Sequence, residues 1–127
     1  MKNRSNPQLY IGTFLLGYEH VSLFAWVGET GGEFYFCPDE RHPARIKVGL
    51  EYDSWQECVS VLLHEVFEFS MARHRVRYER SGKYNHDHSD YLFCFDHPQF
   101  SSICSDAGGF ITQALPKLAT AYRKHKP

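Results

Sequence analysis

"SWQECVSVLLHEVFEFSMAR", Ser54 to Arg73, is a twenty-residue stretch without a glycine or a proline. Asp53 or Ser54 is placed to cap its start, and Glu57 follows Ser54 at the spacing of a capping box. Winding the stretch at about 100° per residue gathers Trp55, Cys58, Val59, Leu62, Leu63, Val66 and Phe69 on one broad face. A helix from about Ser54 to Arg73 with that face buried is the reading around which the rest of the chain is arranged. It leaves His64 and Glu68 on a polar stripe one turn apart, with Glu65 to one side. The stripe is edged by Val61, Phe67 and Met71 rather than by solvating side chains.

On its N-terminal side the chain reads as strands. Residues 9–16, "LYIGTFLL", and 20–27, "HVSLFAWV", are aromatic and branched, with "GYE" as punctuation between them. "GETGG", Gly28 to Gly32, is a turn, and "EFYFC", Glu33 to Cys37, is the next strand. "PDERHP", Pro38 to Pro43, is a loop between two prolines. In "ARIKVGL", Ala44 to Leu50, the apolar Ile46, Val48 and Leu50 alternate with Arg45, Lys47 and Gly49, which marks a strand with one buried face.

On its C-terminal side, Arg73, Arg75, Arg77 and Arg80 read as a solvated arm after the helix, their alternation suggesting a strand or arm with one charged face. Residues 78–90 form a polar loop, and "YLFCF", Tyr91 to Phe95, is a short extended run. Asp96 and Pro98 suit the start of a last helix, about Pro98 to Lys124. Gly108 and Gly109 weaken that helix, and Pro116 should kink or divide it. The expected fold is α+β: one domain over 1–127, a small, mainly antiparallel sheet packed on two principal helices.

The bulk numbers narrow the function classes. With 127 residues and 43% hydrophobic content, one core is within reach and a second is not. The formal net charge of −1 gives no basic excess, so no nucleic-acid partner is expected. No run approaches the ~20 apolar residues of a membrane span, and "MKNRSNPQLY" lacks a signal-peptide core. The four cysteines, Cys37, Cys58, Cys94 and Cys104, contain no C-x-x-C pair and read as small core residues of a cytoplasmic, reduced protein. Eight histidines raise the prior for a metal site.

The polar stripe is where chemistry concentrates. Buried charge is costly unless it is paired or bound to a metal. Two donors one helical turn apart can grip one cation, and zinc accepts both imidazole nitrogen and carboxylate oxygen. His64 and Glu68 are therefore candidate metal ligands, with a hydrogen-bonded polar pair as the plainer alternative. Glu65 stands where a general base would take a proton from metal-bound water. The third ligand expected is His97, in "CFDHPQF" at the opening of the last helix. Asp96, His86, Asp87, His88 and Asp90 are its substitutes. A Cys94–His97 nucleophile pair lacks an orienting third group.

"LLHEVFEFS" followed some thirty residues later by "FDHPQF" resembles a family of small phage and prophage zincin-like metallopeptidases, across roughly Ser54 to Ala114. The family carries an H-E-x-x-E or H-E-x-x-H helix and then a histidine that opens a second helix. The resemblance implies Zn2+ or another divalent transition metal held by His64, Glu68 and His97, with Glu65 catalytic. It also implies a peptide or protein substrate. Glu68 stands where zinc proteases have histidine, and a carboxylate there makes metal-bound water a weaker acid. The competing expectation is a non-catalytic binding protein on a degenerate zincin scaffold, for example a phage inhibitor of a host defence or replication factor.

Overall fold

The computed structural model describes residues 7–36, 38, 41, 43–79 and 91–126. The element order is β1 (Gln8–Leu16), β2 (Glu19–Trp26), β3 (Gly32–Tyr35), β4 (Arg45–Gly49), α1 (Trp55–Arg73), β5 (Arg77–Glu79), β6 (Tyr91–Phe93) and α2 (His97–Lys124). The fold is α+β. A four-stranded sheet of order β1-β2-β4-β3 and the small β5-β6 hairpin pack against two helices.

The sheet is mixed. β1 and β2 form an antiparallel hairpin, and β3 pairs antiparallel with β4. β4 lies parallel to β2, with Leu23 opposite Ile46 and Ala25 opposite Val48. The strand pair is extended at both ends, because Ser22 N–H donates to the Ala44 carbonyl and Leu50 N–H to that of Trp26. The alternation of β4 is obeyed: Ile46 and Val48 are buried, whereas Arg45 and Lys47 stand on the opposite face. Val21, Leu23 and Ala25 of β2 and Phe14 and Leu16 of β1 point the same way as Ile46, and these chains meet both helices in one core. Phe14 meets Phe110 of α2 edge-on, with ring centroids 5.5 Å apart.

α1 starts as its sequence indicates, with the Ser54 hydroxyl accepting from Glu57 N–H. Its buried residues are Cys58, Leu62, Glu65, Val66, Phe69 and Ser70. The buried face is thus turned from the expected one: Leu63 is exposed and Glu65 is inside. The cause is β3. An atom in the Cβ position of Gly32 would lie 2.8 Å from Glu65 Cγ and 3.0 Å from Val61 Cγ1. The bare backbone of Gly32 therefore brings the strand down onto the Glu65 side of the helix.

α2 is one continuous helix, undivided at Gly108, Gly109 and Pro116. Its buried stripe, Ile103, Ala107, Phe110, Ala114, Leu118 and Tyr122, recurs every three or four residues and carries it across the weak points. Gly108, Gly109 and Pro116 all face outward. Nothing lies within 4 Å of a Cβ added at Gly109, so Gly109→Ala is expected to raise stability by about 0.5–1 kcal/mol. A denaturant midpoint that fails to rise would count against this account. The helices run antiparallel: Trp55 packs on Tyr122, while His74 Nε2 lies 3.0 Å from Asp106 Oδ2. Among the described residues no helix is long and apolar enough to cross a membrane.

Candidate functional site

β3, the middle of α1 and the β5-β6 hairpin enclose a cleft of about 730 Å³. Gly32, Glu33, Phe34, Tyr35 and Phe36 form one wall, His64, Glu65 and Glu68 form the floor, and Arg77 and Tyr91 close the far side. Each side chain has a local reason for its position. His64 and Glu68 share a helix face one turn apart, which places His64 Nε2 3.0 Å from Glu68 Oε2. Glu65 Oε2 stands 4.0 Å from the same nitrogen. The side chain of His64 is 68% exposed and that of Glu68 only 18%, so the pair sits at the mouth with its carboxylate inward.

Arg77 completes the group. Its Nη1 donates to Glu68 Oε1 over 2.9 Å. Its guanidinium lies 4.4 Å from the Tyr91 ring centroid and 5.3 Å from that of Phe34. Glu68 is therefore gripped at both oxygens, by a cation on Oε1 and by the imidazole on Oε2. Arg77 reaches this place because the chain reverses after α1. Arg75 takes a left-handed conformation with φ 59°, and Val76 N–H turns back to the Met71 carbonyl. The solvated arm expected for the arginines is corrected at two of its members: Arg73 pairs with Glu19 of β2, and Arg77 with Glu68.

His64, Glu65 and Glu68 are thus brought together, but His97 is not. His97 is the first residue of α2 and is exposed. It lies nine residues before Asp106, which meets His74, and His64 lies ten residues before His74 on the antiparallel partner. At about 1.5 Å rise per residue those offsets add, separating the two histidines by on the order of 25 Å. No single ion spans that distance. Asp96, the nearest substitute, is occupied in capping α2. Its Oδ1 accepts from Gln99 N–H over 2.9 Å, and its own N–H donates to Gln99 Oε1 over 2.9 Å. His86, Asp87, His88 and Asp90 lie outside the described residues, as do Cys37, His42 and Arg80.

Catalytic zinc sites commonly use three protein ligands and one open position. Among the described residues no group of three or more His, Cys, Asp or Glu side chains is disposed to hold a metal ion. The donors that do converge, one imidazole nitrogen and one carboxylate oxygen, fit a two-ligand site whose other positions fall to water. Among the described residues no cysteine lines the cleft. Cys58 is buried in the core, where desolvation pushes its thiol up to about 11.

Arg77, Gly32, Phe34 and Tyr91 are the members of the site that sequence reasoning missed. One signal was available for Arg77: a carboxylate hemmed by apolar residues calls for a cation, and four arginines follow it closely. No protein-family model, curated protein or solved structure matches the chain.

Proposed function

We propose that the cleft binds a divalent cation, zinc or another transition metal, between His64 Nε2 and Glu68 Oε2, and that it supports hydrolysis of a peptide or protein substrate. The observation that carries this reading is the 3.0 Å approach of those two donors beside Glu65. Two ligands of a tetrahedral zinc lie about 3.4 Å apart when each metal–ligand bond is near 2.1 Å. A small opening of the pair therefore admits an ion. Bound there, the cation would supply a water of lowered pKa and a Lewis acid for the substrate carbonyl. Glu65 would accept the proton, its stem fixed against Gly32. Arg77 holds Oε1 of Glu68, which leaves Oε2 turned toward His64, the outer-shell orientation that ligating carboxylates generally need.

Metal analysis and calorimetric zinc titration of the wild-type chain, His64→Ala and Glu65→Gln test the reading. Expected are about one ion per chain in wild type and Glu65→Gln and none in His64→Ala. Cleavage of a peptide panel should disappear in Glu65→Gln. Absence of bound metal in wild type would overturn the proposal, and cleavage unchanged in Glu65→Gln would overturn the role of Glu65. A second reading, a non-catalytic protein-binding scaffold, is favoured by the Arg77–Glu68 pair, which neutralises the carboxylate without any ion. On that reading a stoichiometric protein partner is retained by both variants.

A further inference from the structure

The inner face of β3 borders the cleft as a row: Gly32, Phe34 and, one residue past the strand, Phe36. Phe34 belongs to that face because it stands opposite Ile46, which points into the core. Phe36 belongs to it because its ring packs on Phe69 of α1. Alternate residues of a strand lie about 6.7 Å apart, so the row crosses the cleft in two such steps. Its character changes along the way. At Gly32 the strand has no side chain and lies against Glu65, next to His64. At Phe34 the ring is already covered, with the Arg77 guanidinium 5.3 Å from its centroid. At Phe36 an apolar ring is left 37% exposed beside a polar floor.

Phe36 is firmly seated. Its ring meets that of Phe69 edge-on, with centroids 6.1 Å apart and planes at 85°. Phe34 meets the same Phe69 at 5.7 Å and 60°. Phe69 is fully buried, so both rings rest on a fixed base. A rigid apolar wall with its polar groups gathered at one end is how ligand clefts combine affinity with orientation. Covering the open part of Phe36 with a second apolar side chain removes both surfaces from water, and an aromatic one adds a ring contact. An extended peptide advances about 3.3 Å per residue, the same rise as the strand. With its reacting carbonyl at Glu65, next to Gly32, the residue that comes level with Phe36 is the fourth one away, at roughly 13 Å. An even spacing keeps that side chain on the side facing the row.

We propose, resting on the peptide reading of the same cleft, that Phe36 backed by Phe69 forms a subsite for a large apolar side chain, aromatic above all. That side chain belongs to the fourth residue from the bond held at Glu65. The zinc-loaded chain is incubated with a pool of mixed decapeptides, and the cut positions are read by mass spectrometry. Expected is enrichment of Phe, Tyr, Trp and Leu over Ala at the fourth residue on one side of the cut. For single peptides kcat/KM should be about tenfold higher with Phe than with Ala at that position. Phe36→Ala should erase the ratio by slowing the Phe peptide and leaving the Ala peptide unchanged, and Phe36→Leu should keep part of it. A thermal melt confirms that each variant is folded. A second measurement needs no turnover: fluorescence anisotropy of Glu65→Gln with labelled decapeptides that differ by one Phe-to-Ala change. The Phe peptide should bind about tenfold tighter, and Glu65→Gln/Phe36→Ala should bind the two alike. That ratio without any cleavage by wild type upholds the subsite and sinks the hydrolysis reading. Equal binding of the two peptides overturns the subsite, as does a preference confined to the residues flanking the cut. So does a ratio that survives in a folded Phe36→Ala chain, which would leave Phe36 as a cover for Phe69 and nothing more.

Discussion

Gly49→Ala is expected to cost about 3 kcal/mol, which for a chain of this size lowers the melting temperature by roughly 10 °C. A Cβ at Gly49 would stand 2.2 Å from the Glu29 carbonyl oxygen, 2.6 Å from its carbon and 2.7 Å from Thr30 Cα. All three are backbone atoms, so no rotamer change relieves the contact. The turn that presents them is itself held in place. Gly49 N–H donates to the Gly31 carbonyl over 2.8 Å and Glu51 N–H to that of Glu29 over 2.9 Å. Gly31 N–H in turn donates to the Tyr52 hydroxyl over 2.5 Å. Gly28 and Gly31 supply the positive φ angles, 76° and 85°, that bring the turn this close. An alanine must therefore break these hydrogen bonds or lift the turn away from β4. Because the turn leads directly into Gly32, the displaced chain also takes the cleft wall with it. Guanidinium unfolding monitored by tryptophan fluorescence measures the loss. A midpoint within about 0.5 kcal/mol of wild type would show that the turn is not seated on Gly49.

The same glycines separate what the sequence makes legible from what it does not. α1 could be read because its determinants are local: the Ser54 cap, the absence of breakers and the recurrence of Cys58, Leu62, Val66 and Phe69. β4 was legible from its alternation. The insertion of β4 between β2 and β3 was not, because a period of two is the same in parallel and antiparallel pairing. A helical wheel ranks faces but does not say where a strand will cross. It took the close approach of Gly32 to bury Glu65 and leave Leu63 outside. His64, Glu65 and Glu68 come together because one helix carries all three. His97 does not join them, since "FDHPQF" announces a helix start without its direction, and antiparallel packing sends that start beyond the far end of α1. Arg77 depends on the left-handed turn at Arg75, a conformation that an arginine seldom adopts and that no local pattern signals.

Arg77→Met is expected to destabilise the fold by about 2 kcal/mol, because it removes the guanidinium paired with a carboxylate whose side chain is four-fifths shielded. Methionine keeps much of the stem packing against Phe34 and Tyr91, so the loss reports on the charge rather than on volume. Glu68→Gln alone should cost about 1–2 kcal/mol by leaving Arg77 short of its carboxylate. The double variant should cost less than the sum, with a coupling of about 1–2 kcal/mol, since neither residue then leaves a charged partner behind. Additive losses would mean that the 2.9 Å contact contributes nothing of its own. The cycle also separates the two functional readings. If His64 and Glu68 hold a divalent ion, saturating zinc replaces the lost cation and recovers part of the stability of Arg77→Met by mass action. It should recover none in Arg77→Met/His64→Ala, which lacks the nitrogen donor. A zinc effect equal in both variants would place the ion elsewhere and remove the metal reading of this cleft, leaving Arg77 and Glu68 as a structural pair beneath a surface for a protein partner.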